Sequence, residues 1–295
     1  MTDISLIGAG RLGTSLGRAL AARGYRLRAV ACRRLASARE SRAIIGQGRA
    51  LTDAAEAAAR GEIIILALPD GRIAAAAARL ARAPIDWTRR TVLHTSGRLT
   101  AAALEPLRAR GAAVASFHPA QSFPNKRTPS SRFRGITFGI EGDPKGLALA
   151  RRLSRSLGGH ALEISADTKP LYHAACILAS NHAVLLWQTA AEWLNRAGVA
   201  APEASRLIGR LAEGTLLNVK KLDPEAALTG PIVRGDRETV EAHLQALARF
   251  SPRHVRLYRE LGLAALGIAK KRGLSARKLK ALRELMEDRS PLLRG

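Results

Sequence analysis

Hydrophobic and polar positions over roughly the first 165 residues alternate between short apolar runs and longer stretches of helical periodicity. Apolar runs of the length expected for buried strands occur at residues 4–7, 27–32, 62–68, 91–94, 114–117 and 136–140. Alanine-rich segments with the period of a helix lie between them, and residues 14–23 are one example. Strands separated by helices predict a parallel sheet that is covered on both faces.

The pattern changes after about Ser165, where the strand signal ends. Helical runs follow at residues 168–197, 202–221, 237–250, 252–272 and 275–288, and glycine or proline lies between them. We therefore predict an α/β domain over residues 1–165 and an all-helical C-terminal domain over residues 166–295.

A glycine loop joins the first predicted strand to the first helix. Its sequence is G-x-G-x-x-G, formed by Gly8, Gly10 and Gly13 with Arg11 and Leu12 between the last two. In this context the glycines permit a tight turn, a close approach of pyrophosphate and close packing of helix on strand. The loop predicts a dinucleotide site in a Rossmann-type, doubly wound parallel sheet. The alternative is a glycine-rich turn that binds no ligand.

The end of the second strand indicates which dinucleotide binds. An acidic residue there would bind the ribose 2′-hydroxyl of NAD. This chain has Arg33 and Arg34 instead, and its next carboxylate is Glu40. Because guanidinium groups bind phosphate in a bidentate manner, the pair favours the 2′-phosphate of NADP over NAD.

Candidate ligand-binding residues follow three further strands, because ligands bind at the carboxyl ends of parallel strands. Leu68 and Pro69 end the third apolar run, and we expect them beside the cofactor with Thr95 and Ser96, which end the next. His118 ends the strand after that and is a candidate catalytic residue. The alternatives are turn capping by the serine and a packed, hydrogen-bonded imidazole.

The helix that begins after Ser165 carries polar residues on one side. At 100° per residue, Lys169, His173, Cys176 and Ser180 fall within a stripe about 60° wide, and Asn181 flanks it. Such a stripe on an otherwise apolar helix needs a ligand or hydrogen-bonding partners. We interpret it as part of an active site, with a hydrogen-bond network between domains as the alternative.

Composition and charge narrow the class of protein. Hydrophobic residues make up 47% of the chain and charged residues 24%, which is typical of a folded globular protein. Apolar runs are too short to span a bilayer, the N-terminal segment has no signal-peptide pattern, and two cysteines are too few for a disulfide framework. We expect a soluble, cytoplasmic protein that does not bind membranes.

The net charge of +24 raises the possibility of nucleic-acid binding. The basic residues are spread along the chain, however, and aromatic residues make up only 4% of it, so platforms for stacking bases are lacking. We therefore expect no nucleic-acid partner. The seven histidines show no metal-ligand spacing, and we expect no metal site either.

Several motifs together resemble a family of Rossmann-like oxidoreductases with a C-terminal helical domain of unassigned function. These motifs are GAGRLG, ALPD, HTSG, HPAQSF, the KPLYHAA…ASNH helix and TGPIVRGD. Relatives include ketopantoate reductase, β-hydroxyacid dehydrogenases, pyrroline-5-carboxylate reductase and deazaflavin-dependent NADP reductases. The resemblance implies NADP use and a helical domain that completes the active site and often dimerises. In β-hydroxyacid dehydrogenases this helix carries a catalytic Lys and, four residues later, an Asn; Lys169 matches the first, and His173 replaces the second.

These features predict an NADP-dependent oxidoreductase that acts on a small keto or hydroxy acid, and a ketopantoate-like substrate is the best single expectation. An ammonium suits this chemistry because the alkoxide left by hydride transfer needs a proton and a nearby positive charge. We expect Lys169, His173, Asn181 and His118 to be catalytic, and a homodimer to form through the helical domain. The alternative function is an NADP-binding sensor or scaffold without turnover.

Overall fold

One sheet organises the N-terminal part of the chain. The computed structural model describes residues 2–287, and its eight strands are ordered β3-β2-β1-β4-β5-β6-β7-β8. The strands are β1 Asp3–Ile7, β2 Arg26–Ala31, β3 Arg49–Leu51, β4 Ile63–Leu66, β5 Thr91–His94, β6 Ala113–Pro119, β7 Thr137–Gly142 and β8 His160–Glu163. Neighbouring strands are parallel except β6 and β7, which are antiparallel. The predicted α/β class and the largely parallel sheet are confirmed.

Two of the eight strands carry no apolar run and were not predicted. β3 has three residues, and its only fully buried side chain is Leu51. β8 lies at the sheet edge, and all four of its residues are exposed. Strands of this kind are held by backbone pairing with a neighbour, so the sequence pattern does not reveal them.

Helices connect the strands and then form the rest of the chain. The α-helices are α1 Arg11–Ala21, α2 Leu35–Ile45, α3 Ala54–Ala59, α4 Asp70–Ala81, α5 Glu105–Arg108, α6 Pro144–Ser156, α7 Lys169–Ile177, α8 Ala183–Arg196, α9 Ala201–Lys221, α10 Pro224–Ala227, α11 Pro231–Arg234, α12 Arg237–Ala248, α13 Pro252–Lys271 and α14 Ala276–Glu287. Short 3-10 helices span Ala101–Leu104 and Ser130–Phe133, and a π-helical turn, Leu178–His182, lies between α7 and α8.

The central strands are largely apolar because both faces of the sheet are covered. All four residues of β4 are buried. One hydrophobic cluster contains Leu16 and Leu20 of α1 together with Leu153 of α6. A second cluster contains Ala57 of α3 and Ile73 of α4. Alanines let these helices lie close to the sheet, which explains the alanine-rich pattern of the connecting segments.

The chain divides into two compact units, one ending at Leu186 and the other beginning at Trp187. The boundary predicted at residues 165 and 166 marks the end of the strand pattern. The first unit extends beyond that point because α7 packs on the sheet, where Tyr172 and His173 contact His118 of β6.

The second unit has its own hydrophobic core. Residues of α12, α13 and α14 form it, including Val240, Leu244, Leu266 and Leu282. By contrast, Ala204 is the only buried residue of α9. Among the described residues, no helix is both long enough and apolar enough to cross a membrane.

The TGPIVRGD segment forms α11 and the turn that leads into α12. Gly230 and Gly235 have positive φ values of 116° and 75° and flank α11. Asp236 accepts a hydrogen bond from the backbone N–H of Thr239 at 3.1 Å and so caps α12. Local backbone geometry and helix capping therefore account for the glycines and the aspartate of this motif.

Candidate functional site

The glycine loop has the geometry expected for a phosphate site. Gly8 has a φ of 88°, and a Cβ there would lie 2.5 Å from the backbone oxygen of Ala67. A Cβ on Gly13 would lie 2.3 Å from the oxygen of Gly8. A Cβ on Gly10, however, would meet nothing within 4 Å. Two of the glycines are thus required by the fold, whereas Gly10 borders open space.

The open space lies at the N-terminus of α1. Gly10 is the N-cap residue, and no side chain caps the helix there. The first-turn amides of Arg11 and Leu12 and the positive end of the helix dipole favour an anion at this position. The hydroxyls of Thr14 and Ser41 both donate to the Ala9 carbonyl, at 3.1 and 3.0 Å, and fix the loop. These residues fit a dinucleotide pyrophosphate.

The two arginines at the end of β2 are available to a ligand. Arg33 and Arg34 are both exposed, and neither guanidinium has an ion-pair partner within residues 2–287. Leu68 lies against the glycine loop, since a Cβ on Gly8 would be 2.6 Å from its Cδ2. Pro69 begins α4 as its N-cap residue.

Thr95 and Ser96 are held by structural hydrogen bonds. Thr95 donates its N–H to the oxygen of Leu66 at 3.2 Å. The Ser96 hydroxyl accepts from the N–H groups of Arg98 and Leu99 at 3.2 and 3.0 Å. Both residues are at least nine-tenths buried. The turn-capping alternative therefore describes what Ser96 does in this structure, and its role toward a cofactor stays a prediction.

His94 is a packed imidazole. Its side chain is fully buried, its Nε2 lies 3.0 Å from the oxygen of Thr100, and its Nδ1 accepts the N–H of Ser96 at 3.2 Å. Nε2 therefore carries the proton and donates it. Burial lowers the pKa of His94 to about 4. The ring is neutral at neutral pH and belongs to the scaffold of the site.

Two histidines predicted to be catalytic meet over Gly97, just beyond the carboxyl end of β5. A Cβ on Gly97 would lie 2.4 Å from Cδ2 of His173 and 2.9 Å from Cε1 and Nε2 of His118. The two imidazole rings are 5.7 Å apart and nearly perpendicular. Burial and the nearby His173 and Lys169 lower the pKa of His118 to about 4. The structure thus brings β6 and α7 together at the edge where parallel sheets bind ligands.

Tyr172 belongs to the same cluster, although the sequence analysis did not single it out. Its hydroxyl lies 3.0 Å from Nδ1 of His118, and the two rings are 5.7 Å apart at 87°. Burial, together with the neighbouring Cys176, raises the pKa of Tyr172. A tyrosine beside a histidine on an apolar helix is common, so the sequence alone offers only its adjacency to His173 as a signal.

Lys169 begins α7 as predicted, but its side chain is completely buried. Its ammonium group has no hydrogen-bond partner among the described residues. Burial lowers the pKa of Lys169, and the negative charge of Glu141 opposes that shift. The Lys169 charge in turn lowers the pKa of His94 and His118. Lys169 therefore lies close enough to act on both rings electrostatically.

Asn181 lies apart from these residues. It is exposed in the π-helical turn, eight residues beyond His173, which is roughly 12 Å along a helix axis. The π-helical turn also interrupts the regular period of the helix at Leu178. The structure brings together Lys169, His173 and His118, but it does not bring Asn181 to them.

The described residues contain no group of three or more His, Cys, Asp or Glu side chains that could hold a metal ion. The clustered rings belong to His94, His118 and His173, and the buried ammonium of Lys169 acts electrostatically on the first two. This arrangement supplies hydrogen-bond donors and positive charge at the carboxyl edge of the sheet. It suits the stabilisation of negative charge developing on a small molecule.

Two family models match the chain. Residues 2–119 match a Rossmann-like domain, and residues 136–265 match a domain of unknown function, DUF2520. The chain thus joins these two domains in the order that the resemblance predicted. No protein of curated function matches the chain.

Solved structures with the same architecture include oxidoreductases. A "putative NADP oxidoreductase" of Bacteroides fragilis is 26% identical with a TM-score of 0.74, over 90% of this chain and 97% of that one. A protein of Thermotoga maritima is also 26% identical, with a TM-score of 0.71 over 91% and 99% of the two chains. A pyrroline-5-carboxylate reductase of Coxiella burnetii is 17% identical, with a TM-score of 0.59 over 92% and 98%, and this likeness shows the fold alone.

Proposed function

We propose that this chain, in which a Rossmann-like domain precedes a DUF2520 domain, is an NADP-dependent oxidoreductase acting on a small keto or hydroxy acid. One observation carries the proposal. His118 and His173 converge over Gly97 with the buried charge of Lys169 close by, at the carboxyl edge of the sheet that also bears the glycine loop. A Rossmann-type sheet binds the reacting end of its dinucleotide at this edge.

The proposed cofactor is NADP, which when bound supplies the hydride. The glycine loop would hold its pyrophosphate at the open N-terminus of α1. Arg33 and Arg34, both exposed and without ion-pair partners among the described residues, would bind the 2′-phosphate. The relative described as an NADP oxidoreductase supports this choice.

Reduction of a carbonyl would leave negative charge on its oxygen, and that oxygen would then need a proton. His118 is neutral at neutral pH, and we assign to it a hydrogen bond to that oxygen. His173, which is half-buried beside it, is assigned to deliver the proton that completes the hydroxyl. Because Lys169 is buried, its role here is to stabilise the developing negative charge through space rather than by contact.

The charge of the site favours an acidic substrate. The ammonium of Lys169 is not neutralised by an ion pair among the described side chains, and the rings around it present hydrogen-bond donors. A carboxylate next to the reacting carbonyl would complement this positive potential. We infer a small keto acid, and a ketopantoate-like compound is the first to test.

We also infer that the second unit forms a homodimer. Leu211, Leu216 and Leu217 of α9 are 64%, 57% and 50% exposed within the single chain. A helix of 21 residues with one buried side chain exposes more apolar surface than a soluble monomer usually does. A second copy of this chain would bury the same face on both subunits.

The activity is tested by following NADPH oxidation with a panel of small keto acids, ketopantoate included. Calorimetry should show tighter binding of NADPH than of NADH, and Arg33→Ala should remove most of that difference. Arg152→Ala, which changes an exposed arginine of α6, is the matched control and should keep it. NADPH binding without turnover of any keto acid would favour the sensor alternative, whereas equal affinities for the two dinucleotides would refute the assignment of Arg33.

A further inference from the structure

We propose that Tyr172 is a positioning residue, whose phenol holds His118 in the tautomer that presents Nε2–H to the substrate oxygen. The proposal rests on the reductase function proposed above and adds to it the residue that sets whether His118 donates or accepts a hydrogen bond. Tyr172 would not touch the substrate and would act entirely through the imidazole.

The phenol of Tyr172 occupies a space that the sheet leaves open at Gly139. Its oxygen lies 3.0 Å from Nδ1 of His118, and the two rings meet edge to face. Gly139 of β7 is paired with His118 across the antiparallel ladder. A Cβ on Gly139 would lie 2.5 Å from the phenol oxygen, so any other residue there would displace Tyr172. The absence of a side chain at Gly139 therefore makes room for the phenol of Tyr172.

The hydrogen-bonding capacity of each group decides the tautomer. Burial raises the pKa of Tyr172, so the phenol keeps its proton and can donate it. The backbone of Gly139 also hydrogen-bonds to the phenol, and Cys176 is the other side chain within reach. An imidazole nitrogen is a stronger acceptor than a thiol sulfur. The phenol proton therefore goes to Nδ1 of His118.

A neutral imidazole carries one proton, so a ring that accepts at Nδ1 must donate at Nε2. The pKa of His118, lowered by burial to about 4, keeps the ring neutral over the working range of pH. The titratable groups that face it are His173 and Lys169 of α7, His94 of β5 and Asp70 of α4. Three of these four lower the pKa of His118 further, and only Asp70 raises it.

The Nε2 edge of His118 is the edge that reaches the candidate active site. Cε1 and Nε2 lie over Gly97 beside the ring of His173, whereas Nδ1 faces the opposite way, toward Tyr172. The opposite tautomer would place a lone pair toward the substrate oxygen and repel it. Fixing the tautomer therefore converts His118 into a hydrogen-bond donor for the carbonyl.

The experiment combines ¹⁵N NMR of the histidine rings with kinetics on the full chain. In the wild-type protein, His118 should show the Nε2–H tautomer alone, and in Tyr172→Phe the Nδ1–H form should appear. We expect Tyr172→Phe to lower kcat about tenfold, as for the loss of one neutral hydrogen bond, with an unchanged KM for NADPH. In a His118→Gln background, Tyr172→Phe should have no further effect.

The chain contains a matched control. Tyr258 and His243 of the second unit form the same pair, with the hydroxyl 2.8 Å from Nδ1 and the rings 5.7 Å apart at 87°. Tyr258→Phe should change the tautomer signal of His243 and leave kcat unchanged.

Two results would overturn the proposal. One is an Nδ1–H signal from His118 in the wild-type protein. This measurement needs no variant, so it tests the proposal even if Tyr172→Phe fails to fold. The other is an additive effect of Tyr172→Phe in the His118→Gln background. If the tautomer shifts as expected but no keto acid is reduced, the positioning role is supported and the reductase function is refuted.

Discussion

Acidification should destabilise the fold through His94, because this ring is buried as a neutral hydrogen-bonded group. Its Nδ1 accepts the N–H of Ser96, and its Nε2 donates to the oxygen of Thr100. Protonation at Nδ1 would bring two N–H groups face to face. In the unfolded chain, the same ring takes up a proton without penalty.

The magnitude follows from the difference between the two pKa values. The ring titrates at 6.5 in the reference state and at about 4 in the folded protein. The native state is favoured fully above the unfolded value, and stability is lost as the pH falls from 6.5 toward 4. Between about pH 7.5 and about pH 5, linkage gives a loss of about 2 kcal/mol from this residue. Below about pH 4 the folded and the unfolded states both bind the proton, and the loss of stability levels off at about 3 kcal/mol.

The assay is urea unfolding at both pH values for the wild-type protein and for His94→Gln. Glutamine can accept from Ser96 and donate to Thr100 but does not titrate, so this variant should lose about 2 kcal/mol less than the wild type on acidification. His160→Gln, which changes an exposed histidine of β8, is the control and should follow the wild type. An identical pH dependence for His94→Gln and the wild type would show that His94 does not cause the loss of stability in acid.

Four further substitutions test the cofactor site, the buried cation and the dimer. Gly10→Ala should weaken NADPH binding at least about tenfold, since its Cβ would enter the open space at the anion site. It should lower stability by about 1 kcal/mol, because Ala is a much poorer N-cap than Gly. Gly13→Ala should lower the midpoint itself, because its Cβ would lie 2.3 Å from a backbone oxygen. Lys169→Met should keep or raise the melting temperature, because an unpartnered buried ammonium is removed. It should lower kcat by roughly 10²–10³, as for the loss of one group that stabilises developing negative charge. A lower melting temperature with normal kcat would instead mean a structural role. Leu211→Glu should convert a dimer to a monomer in light scattering, and a wild-type monomer at tens of micromolar would contradict the dimer.

The sequence by itself determined the architecture, because periodicity and glycine geometry are local properties. Fully apolar runs such as β4 occur where both faces of a strand are buried, and their alternation with helices implies a parallel sheet. The positions of Gly8 and Gly13 follow from contacts within one turn and with the adjoining strand. The resemblance carried by the motifs predicted the order of the two domains correctly.

Part of the candidate site was also within reach of the sequence. Pro170 placed the start of α7, and the helical period put Lys169 and His173 on one side of it. The position of His118 at the end of β6 predicted that it would approach the same edge of the sheet. A π-helical turn begins at Leu178, and no local pattern in the sequence indicates it.

Only the tertiary structure decided which of these groups face one another and which are enclosed. The burial of Lys169, the contact of Tyr172 with His118 and the meeting of two imidazoles over Gly97 join residues from β6, α7 and the loop that follows β5. Antiparallel pairing of β6 with β7 sets Gly139 opposite His118 and makes room for the phenol. A pKa, a tautomer and a hydrogen-bond partner depend on neighbours distant in sequence, and only folding brings those neighbours together.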